Sequence, residues 1–146
     1  MASHIVPHAP CSWSEISGRL RTVVRQTKQR EAIKNTFETV DRPLSPTEVL
    51  EITQTCIPTL SVATVYRALA TLTEAGWLSR VEIPGEASRY ERSGKQHHHF
   101  FVCRICDRAF AVHGCVDGLA RMTPTGFTLE AHDIVLRGVC SECLQD

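Results

Sequence analysis

The chain has 146 residues, enough for one ordinary domain or two very small ones. Its 16 basic and 16 acidic residues give a formal net charge of +0, so the overall charge does not indicate a nucleic acid, a membrane surface or an acidic partner. No apolar run approaches the roughly 20 residues that span a bilayer, and the N-terminus lacks the pattern of a secretory signal. We therefore expect a cytoplasmic protein without a membrane partner, whose cysteines are metal ligands or redox centres more often than disulfides.

The N-terminal part predicts a tail followed by two helices. Residues 1–11 show no periodic pattern, whereas apolar residues recur at helical spacing from Ser12 onward. Thr27 is placed to cap a second helix that buries Ala32, Ile33, Phe37 and Val40. The charged residues between 18 and 35 are basic except for Glu31, so this stretch is expected to contact DNA phosphates, with Arg25 and Lys28 as candidates.

Two further helices have well-marked starts. Ser45, Pro46 and Glu48 combine a capping box with a proline at the first helical position. Ser61 opens the next helix, which Gly76 closes. Helical spacing predicts that this helix buries Val62, Val65, Leu69 and Leu72, and that its outer face carries Thr64, Arg67, Ala68 and Thr71.

A predicted hairpin follows, with strands at residues 77–83 and 88–91 joined by Pro84, Gly85 and Glu86. Three helices and a hairpin predict a winged helix-turn-helix DNA-binding domain over residues 12–91, whose last helix would enter the major groove. A helical core with a β-flap is the alternative interpretation of the same pattern.

Beyond a polar hinge at residues 92–96, the pattern changes from helical to strand-like. Strands are expected at residues 100–102, 109–112 and 127–136, with a short helix around residues 115–122. Residues 97–146 would thus form a small α/β module that needs an additional stabilising element, such as a bound metal ion, because it is too short for a large core of its own. The predicted fold class is α+β.

Two C-x-x-C pairs in this module predict a structural metal site that would stabilise it. Cys103 and Cys106 form one pair, Cys140 and Cys143 form the other, and we call these residues the four-cysteine cluster. Four thiolates make the tetrahedral site that structural zinc prefers. The three histidines at positions 97–99 precede the first pair; in a strand, His97 and His99 would face one side and His98 the other, which suggests a second metal site nearby.

The chain resembles the ferric-uptake-regulator family of metal-dependent bacterial transcription repressors, and its zinc-uptake regulators in particular. The resemblance rests on TVYRAL at residues 64–69, RYE at 89–91, HHH before the first C-x-x-C, and GF…H…GVC-x-x-C at 126–143. It extends from about Arg19 to Cys143. It implies a homodimer that binds a palindromic double-stranded DNA operator through the winged-helix domains and dimerises through the C-terminal modules. No enzymatic activity and no small-molecule substrate are expected.

The resemblance also implies roles for individual residues. The four-cysteine cluster matches the family's structural zinc ligands. Tyr66 and Arg67 match residues of the recognition helix that contact thymine methyl groups, base edges or phosphates. Ser61 and Thr64, at the start of the same helix, complete the candidate DNA-binding residues.

Two further metal sites of the family have counterparts with substitutions. The positions that match the family's inter-domain site are Pro43, Glu91, His98 and Phe100. Only Glu91 and His98 can bind a metal ion, so this second site is expected to be degraded. The site within the dimerisation module falls on four residues that can all ligate, which we call the histidine–cysteine cluster: His97, His99, Cys115 and His132.

Cys115 stands where the family uses a carboxylate. Three imidazoles and one thiolate suit zinc better than ferrous iron, so we expect the histidine–cysteine cluster to be a regulatory site for zinc or another divalent metal. His113, two residues away, is an alternative ligand.

Three other functions remain open at this point. The first is an iron- or peroxide-responsive regulator of the same family, with the metal held by Glu91, His98 and other ligands. The second is a redox module in which the C-x-x-C pairs cycle between thiol and disulfide, although neither pair begins a helix in a thioredoxin-like context. The third is a metallohydrolase, for which the four candidate ligands leave no obvious open position.

Overall fold

The computed structural model describes residues 21–145, and residues 21–26 by their backbone alone. They form two compact units, one ending at Ser93 and the other beginning at Gly94. The first contains α1 (Arg21–Thr39), α2 (Pro46–Gln54), α3 (Val62–Glu74), β1 (Leu78–Val81) and β2 (Arg89–Arg92). The second contains β3 (His99–Cys103), β4 (Ala109–Val112), a 3₁₀ helix (Leu119–Met122) and β5 (Val135–Gly138). None of the described helices is long and apolar enough to cross a membrane.

The prediction that Thr27 caps a separate helix is wrong. Residue 27 lies inside α1, which continues without a break from Arg21 to Thr39. This stretch has no glycine or proline, and its Arg, Lys, Gln and Glu residues favour the helix more than one threonine opposes it. The part of the predicted first helix before residue 21 lies outside the described residues.

The starts of α2 and α3 agree with the sequence. The hydroxyl of Ser45 accepts a hydrogen bond from Glu48 N–H, and the Glu48 carboxylate accepts one from Ser45 N–H, at 3.2 and 2.9 Å. That carboxylate also pairs with Arg42 at 2.6 Å and with Arg89 of β2 at 3.1 Å. Ser61 caps α3 in the same way, through Thr64 N–H. Glu48 therefore fixes the start of α2 and holds it to the hairpin.

The helices and the hairpin pack around a single apolar core. Its buried members come from all three helices, the connections between them and β1: Ile33, Phe37, Leu44, Val49, Ile52, Leu60, Val65, Ala68, Leu69, Leu72 and Leu78. β1 and β2 are antiparallel, and the backbones of Leu44 and Tyr90 exchange two hydrogen bonds that attach the α1–α2 connection to the hairpin. This arrangement is a winged helix-turn-helix, and the predicted α+β class is confirmed.

Two residues of α3 lie on the opposite face from the one predicted. Ala68 is buried, whereas Val62 is 50% exposed. Val65, Ala68, Leu69 and Leu72 follow the i, i+3, i+4, i+7 spacing of one helical stripe, so Ala68 belongs with the core. Val62 is the first residue of the helix, directly after the Ser61 cap, and projects beyond the edge of that core.

The second unit is a three-stranded sheet of order β4-β3-β5. β3 is antiparallel to β4 and parallel to β5. The expected strand over residues 127–136 is wrong for most of its length, since the observed strand is Val135–Gly138. In the described residues, the segment before it has no strand to pair with, and the side chain of Phe127 is 73% exposed. The expected helix over 115–122 is reduced to the 3₁₀ helix Leu119–Met122.

Candidate metal centres

Strand β3 carries ligands of both predicted clusters, one at each end. His99 is its first residue and Cys103 its last, so their backbones are about 13 Å apart at the usual rise per residue. β5 runs alongside in the same direction, with His132 shortly before its start and Cys140 shortly after its end. The parallel pairing of β3 and β5 therefore brings each set of distant residues together.

The four-cysteine cluster has a compact geometry. The four sulfur atoms all lie within 4.8 Å of one another, and Sγ of Cys106 is 3.8 Å from Sγ of Cys140. Four sulfurs at about 2.3 Å from a tetrahedral zinc would be separated by about 3.8 Å. The donor set and the spacing therefore fit zinc.

The two cysteine pairs are held together by more than the strands. Cys140 N–H donates to Sγ of Cys103 at 3.3 Å, and the side chains of Arg108 and Glu142 form an ion pair between the two turns. Asp107, directly after the first pair, has a φ of 55°, a left-handed conformation that aspartate tolerates better than most side chains. Aspartate at this position is therefore compatible with the turn.

The thiols of this cluster ionise unequally. Burial raises the pKa of Cys103, but the N–H groups of Cys106, Cys140 and Ile105 stabilise its thiolate and bring its pKa down to about 6. Burial, together with the hydrogen bonds that its thiol donates to neighbouring cysteine sulfurs, raises the pKa of Cys143 to about 12. One negative charge thus forms readily and further ones are opposed, an imbalance that a divalent cation at the centre would remove.

The histidine–cysteine cluster is equally compact, with its four ligand atoms within 4.8 Å of one another. Sγ of Cys115 lies 3.5 Å from Nε2 of His99 and 3.4 Å from Nε2 of His132. A tetrahedral zinc, with bonds of about 2.3 Å to sulfur and about 2.05 Å to nitrogen, separates these atoms by about 3.5 Å. The ring of His97 completes the group, 4.6 Å from that of His99 and 4.9 Å from that of His132.

The environment of His99 favours the neutral imidazole that binds metals. Its side chain is buried, and burial together with the neighbouring His97 and His132 lowers its pKa. Ile134 N–H lies 3.3 Å from Nδ1 of His99. Binding a cation through Nε2 would place the proton on Nδ1, so this long contact would be given up.

Cys115 reaches the cluster from a loop and not from the predicted helix. It follows Gly114, whose φ of 93° turns the chain after β4. The alternative ligand His113 lies outside the cluster, and its ring is 6.1 Å from that of His98.

Glu91 and His98, the residues of the predicted degraded site, belong to different units. Glu91 is buried in β2 of the first unit. His98 immediately precedes β3 in the second unit, where its Nδ1 lies 2.8 Å from the carbonyl oxygen of Gln96. Their assignment to one site stays a prediction.

Four of the six candidate DNA-binding residues lie in α3 or directly before it. Tyr66 is 54% exposed and Arg67 is also exposed, with its Nη2 donating to Thr64 Oγ1 at 3.4 Å. Ser61 and Thr64 are joined by a 2.9 Å hydrogen bond at the N-cap. Val62, which the sequence interpretation placed in the core, adds an apolar group to this surface. Lys28 on α1 is partly exposed, and the side chain of Arg25 lies outside the described part of the chain.

Comparison with known proteins agrees with this architecture. Residues 21–137 match the model of the Ferric uptake regulator family. The Ferric uptake regulation protein of Campylobacter upsaliensis is 29% identical over 125 residues, which cover 82% of this chain and 80% of that protein. The Zinc uptake regulation protein of Mycobacterium tuberculosis is 32% identical over 123 residues, 82% of this chain and 95% of that protein.

A solved structure shares the fold. The Helicobacter pylori ferric uptake regulator has a TM-score of 0.59 at 23% identity, with 87% of this chain and 90% of that one covered. That protein is described as having three functional metal-binding sites.

Proposed function

Because this chain belongs to the ferric uptake regulator family and is therefore a metal-responsive transcriptional regulator and not an enzyme, we propose that the metal it senses is zinc. The observation that carries this proposal is the composition and spacing of the histidine–cysteine cluster. Three imidazoles and one thiolate lie within 4.8 Å of one another. Ferrous iron more often takes oxygen ligands, and none of these four side chains supplies one.

In this proposal the two clusters have different roles. The four-cysteine cluster holds a structural zinc that stabilises the second unit. The histidine–cysteine cluster binds the regulatory zinc, with His97, His99, Cys115 and His132 as ligands. Zinc, when bound there, supplies the charge that draws these four side chains together.

The proposed partner is double-stranded DNA with a palindromic operator, bound by a homodimer. The α3 helix of each subunit would enter the major groove, where Arg67 can reach a base edge and Tyr66 and Val62 can contact thymine methyl groups. Zinc binding would select the arrangement in which both α3 helices reach successive grooves, so that repression follows the zinc concentration.

The test uses full-length protein that retains its structural zinc, and DNA selected by that protein from a random pool in the presence of zinc. His132→Ala removes one proposed ligand, and His113→Ala is the matched control outside the cluster. We expect wild type and His113→Ala to bind a second zinc per chain, with operator affinity rising about 5- to 150-fold, the usual range of allosteric coupling. A His132→Ala variant that keeps both the second zinc and the zinc-dependent affinity would contradict the proposal.

The DNA-binding surface has a separate test. Arg67→Ala should weaken binding to the selected DNA by about 1–3 kcal/mol, the range for a base contact, while the protein stays dimeric. Arg104→Ala, which removes an exposed arginine of the second unit, is the control. Equal binding by wild type and the Arg67 variant would show that the DNA surface lies elsewhere.

A further inference from the structure

The free cysteines of the described residues differ sharply in exposure. Cys103 and Cys140 are buried, Cys106 and Cys143 are half-buried, and Cys115 is exposed. Thiol–disulfide exchange needs the attacking sulfur to approach a disulfide in line with its S–S bond, so a bulky disulfide reacts only with an open thiol. Access therefore favours Cys115 over every member of the four-cysteine cluster.

The position of Cys115 links any modification of its sulfur to the histidine–cysteine cluster. Its sulfur lies 3.4 Å from Nε2 of His132 and 3.5 Å from Nε2 of His99, and the ring of His97 completes the group. A group attached to this sulfur would therefore lie where the four ligand atoms converge, within 4.8 Å of one another.

We propose that Cys115 is a modification site for low-molecular-mass disulfides such as oxidised glutathione, and that the mixed disulfide formed there excludes zinc from the histidine–cysteine cluster. This inference rests on the function proposed above, because the consequence is loss of zinc-dependent DNA binding. It adds a second input, since a cell rich in oxidised thiols would relieve repression even when zinc is present.

The exchange reaction requires only the Cys115 thiol and the disulfide. The Cys115 thiolate attacks one sulfur of the disulfide, a new S–S bond forms, and the old S–S bond breaks. The second half of the disulfide leaves as a thiolate and takes up a proton. Cys115 is oxidised and the leaving thiol is reduced, and an excess of free thiol reverses the reaction.

Zinc and the disulfide compete for the same sulfur atom. A sulfur in a disulfide has lost the negative charge that makes it a zinc ligand, and the attached tripeptide would fill the space beside His99 and His132. Loss of one of four ligands leaves an all-imidazole remnant with weaker zinc binding. Conversely, zinc already bound at the cluster should protect Cys115 from exchange.

The experiment treats full-length protein that retains its structural zinc with oxidised glutathione, with and without the second zinc. Peptide mass spectrometry then measures modification at each cysteine. We expect Cys115 to be modified before Cys103, Cys106, Cys140 and Cys143, and zinc to slow its modification. The modified protein should bind no second zinc, and its affinity for the selected DNA should fall about 5- to 150-fold, the full range of the zinc coupling, until dithiothreitol restores it.

Cys115→Asp is the matched control, because a carboxylate keeps a zinc ligand but cannot form a disulfide. Its zinc-dependent DNA binding should resist oxidised glutathione. Equal or faster modification of the four-cysteine cluster, or a modified protein that still takes up the second zinc, overturns the inference. If Cys115→Asp binds zinc poorly, the wild-type peptide map and zinc uptake decide alone.

The two proposals fail in different ways. If untreated protein binds no second zinc, or binds it without a change in DNA affinity, the proposed function is wrong. If untreated protein responds to zinc and oxidised glutathione leaves that response unchanged, only the inference about Cys115 is wrong.

Discussion

Removing zinc from the four-cysteine cluster should unfold the second unit and leave the first one folded. The perturbation is either a strong chelator in the presence of a reductant or the substitution Cys140→Ser. Cys140 is buried, lies 3.8 Å from Cys106 and donates its N–H to the sulfur of Cys103, so its loss affects the centre of the cluster.

The expected size of the effect follows from the cores of the two units. Among the described residues, the buried apolar or cysteine side chains of the second unit are Val102, Cys103, Ala109 and Cys140, and two of these are proposed zinc ligands. Burying a valine contributes about 1.5–3 kcal/mol, whereas a structural zinc contributes about 10–16 kcal/mol. The first unit has a core of 11 buried residues and no such dependence.

Hydrogen exchange followed by mass spectrometry distinguishes the two units in one sample. After zinc removal we expect amides of β3, β4 and β5 to lose protection and amides of α1, α2 and α3 to keep it. Cys115→Ser, which removes the exposed thiol of the other cluster, is the control and should keep the strands protected. Strands that stay protected in zinc-free, reduced protein would refute the reasoning.

Two further predictions concern ionisable groups. The zinc affinity of the four-cysteine cluster should fall more steeply as the pH is lowered below about 6 than it does at higher pH. The Cys103 thiolate, with a pKa of about 6, is then protonated, so zinc must displace one more proton. Chelator competition measures the zinc affinity at each pH, and a slope that does not change near pH 6 contradicts the prediction. Glu48→Gln should destabilise the first unit by about 1.5–3 kcal/mol, because its hydrogen bonds with Arg42 and Arg89 become weaker. Glu51→Gln, an exposed position on the same helix, is the control and should change stability by less than about 0.5 kcal/mol. Urea unfolding measures both variants, and equal effects would contradict the stabilising role of Glu48.

The features that sequence predicted well are those encoded by neighbouring residues. The capping box of Ser45 and Glu48 and the cap at Ser61 each join residues three positions apart, so their signal is complete within one helical turn. The C-x-x-C spacing is local in the same sense. The two pairs could be joined from their chemistry, since four thiolates suit one structural zinc. Joining His97 with His132 required the family resemblance, because only the parallel pairing of β3 and β5 brings these segments together.

The wrong predictions concern residues whose state depends on distant partners. Thr27 has the side chain of a cap, but the residues on both sides of it favour a continuous helix. Val62 fits the buried stripe by spacing, yet the core ends before it. Residues 127–134 alternate like a strand, but a strand forms only where another backbone accepts its hydrogen bonds, and β3 is paired with residues 135–138.

The contrast in exposure between the two clusters matches the roles proposed for them. A structural zinc should exchange slowly, and the buried sulfurs of Cys103 and Cys140 can be released only when the surrounding turns open. A sensor must gain and lose its ion as the free concentration changes, which requires ligands that solvent can reach, and His97 and Cys115 are both exposed. The same exposure makes the cluster open to chemistry other than zinc binding. A thiolate at position 115 therefore ties zinc sensing to the thiol redox state, a link that a carboxylate at this position would not make.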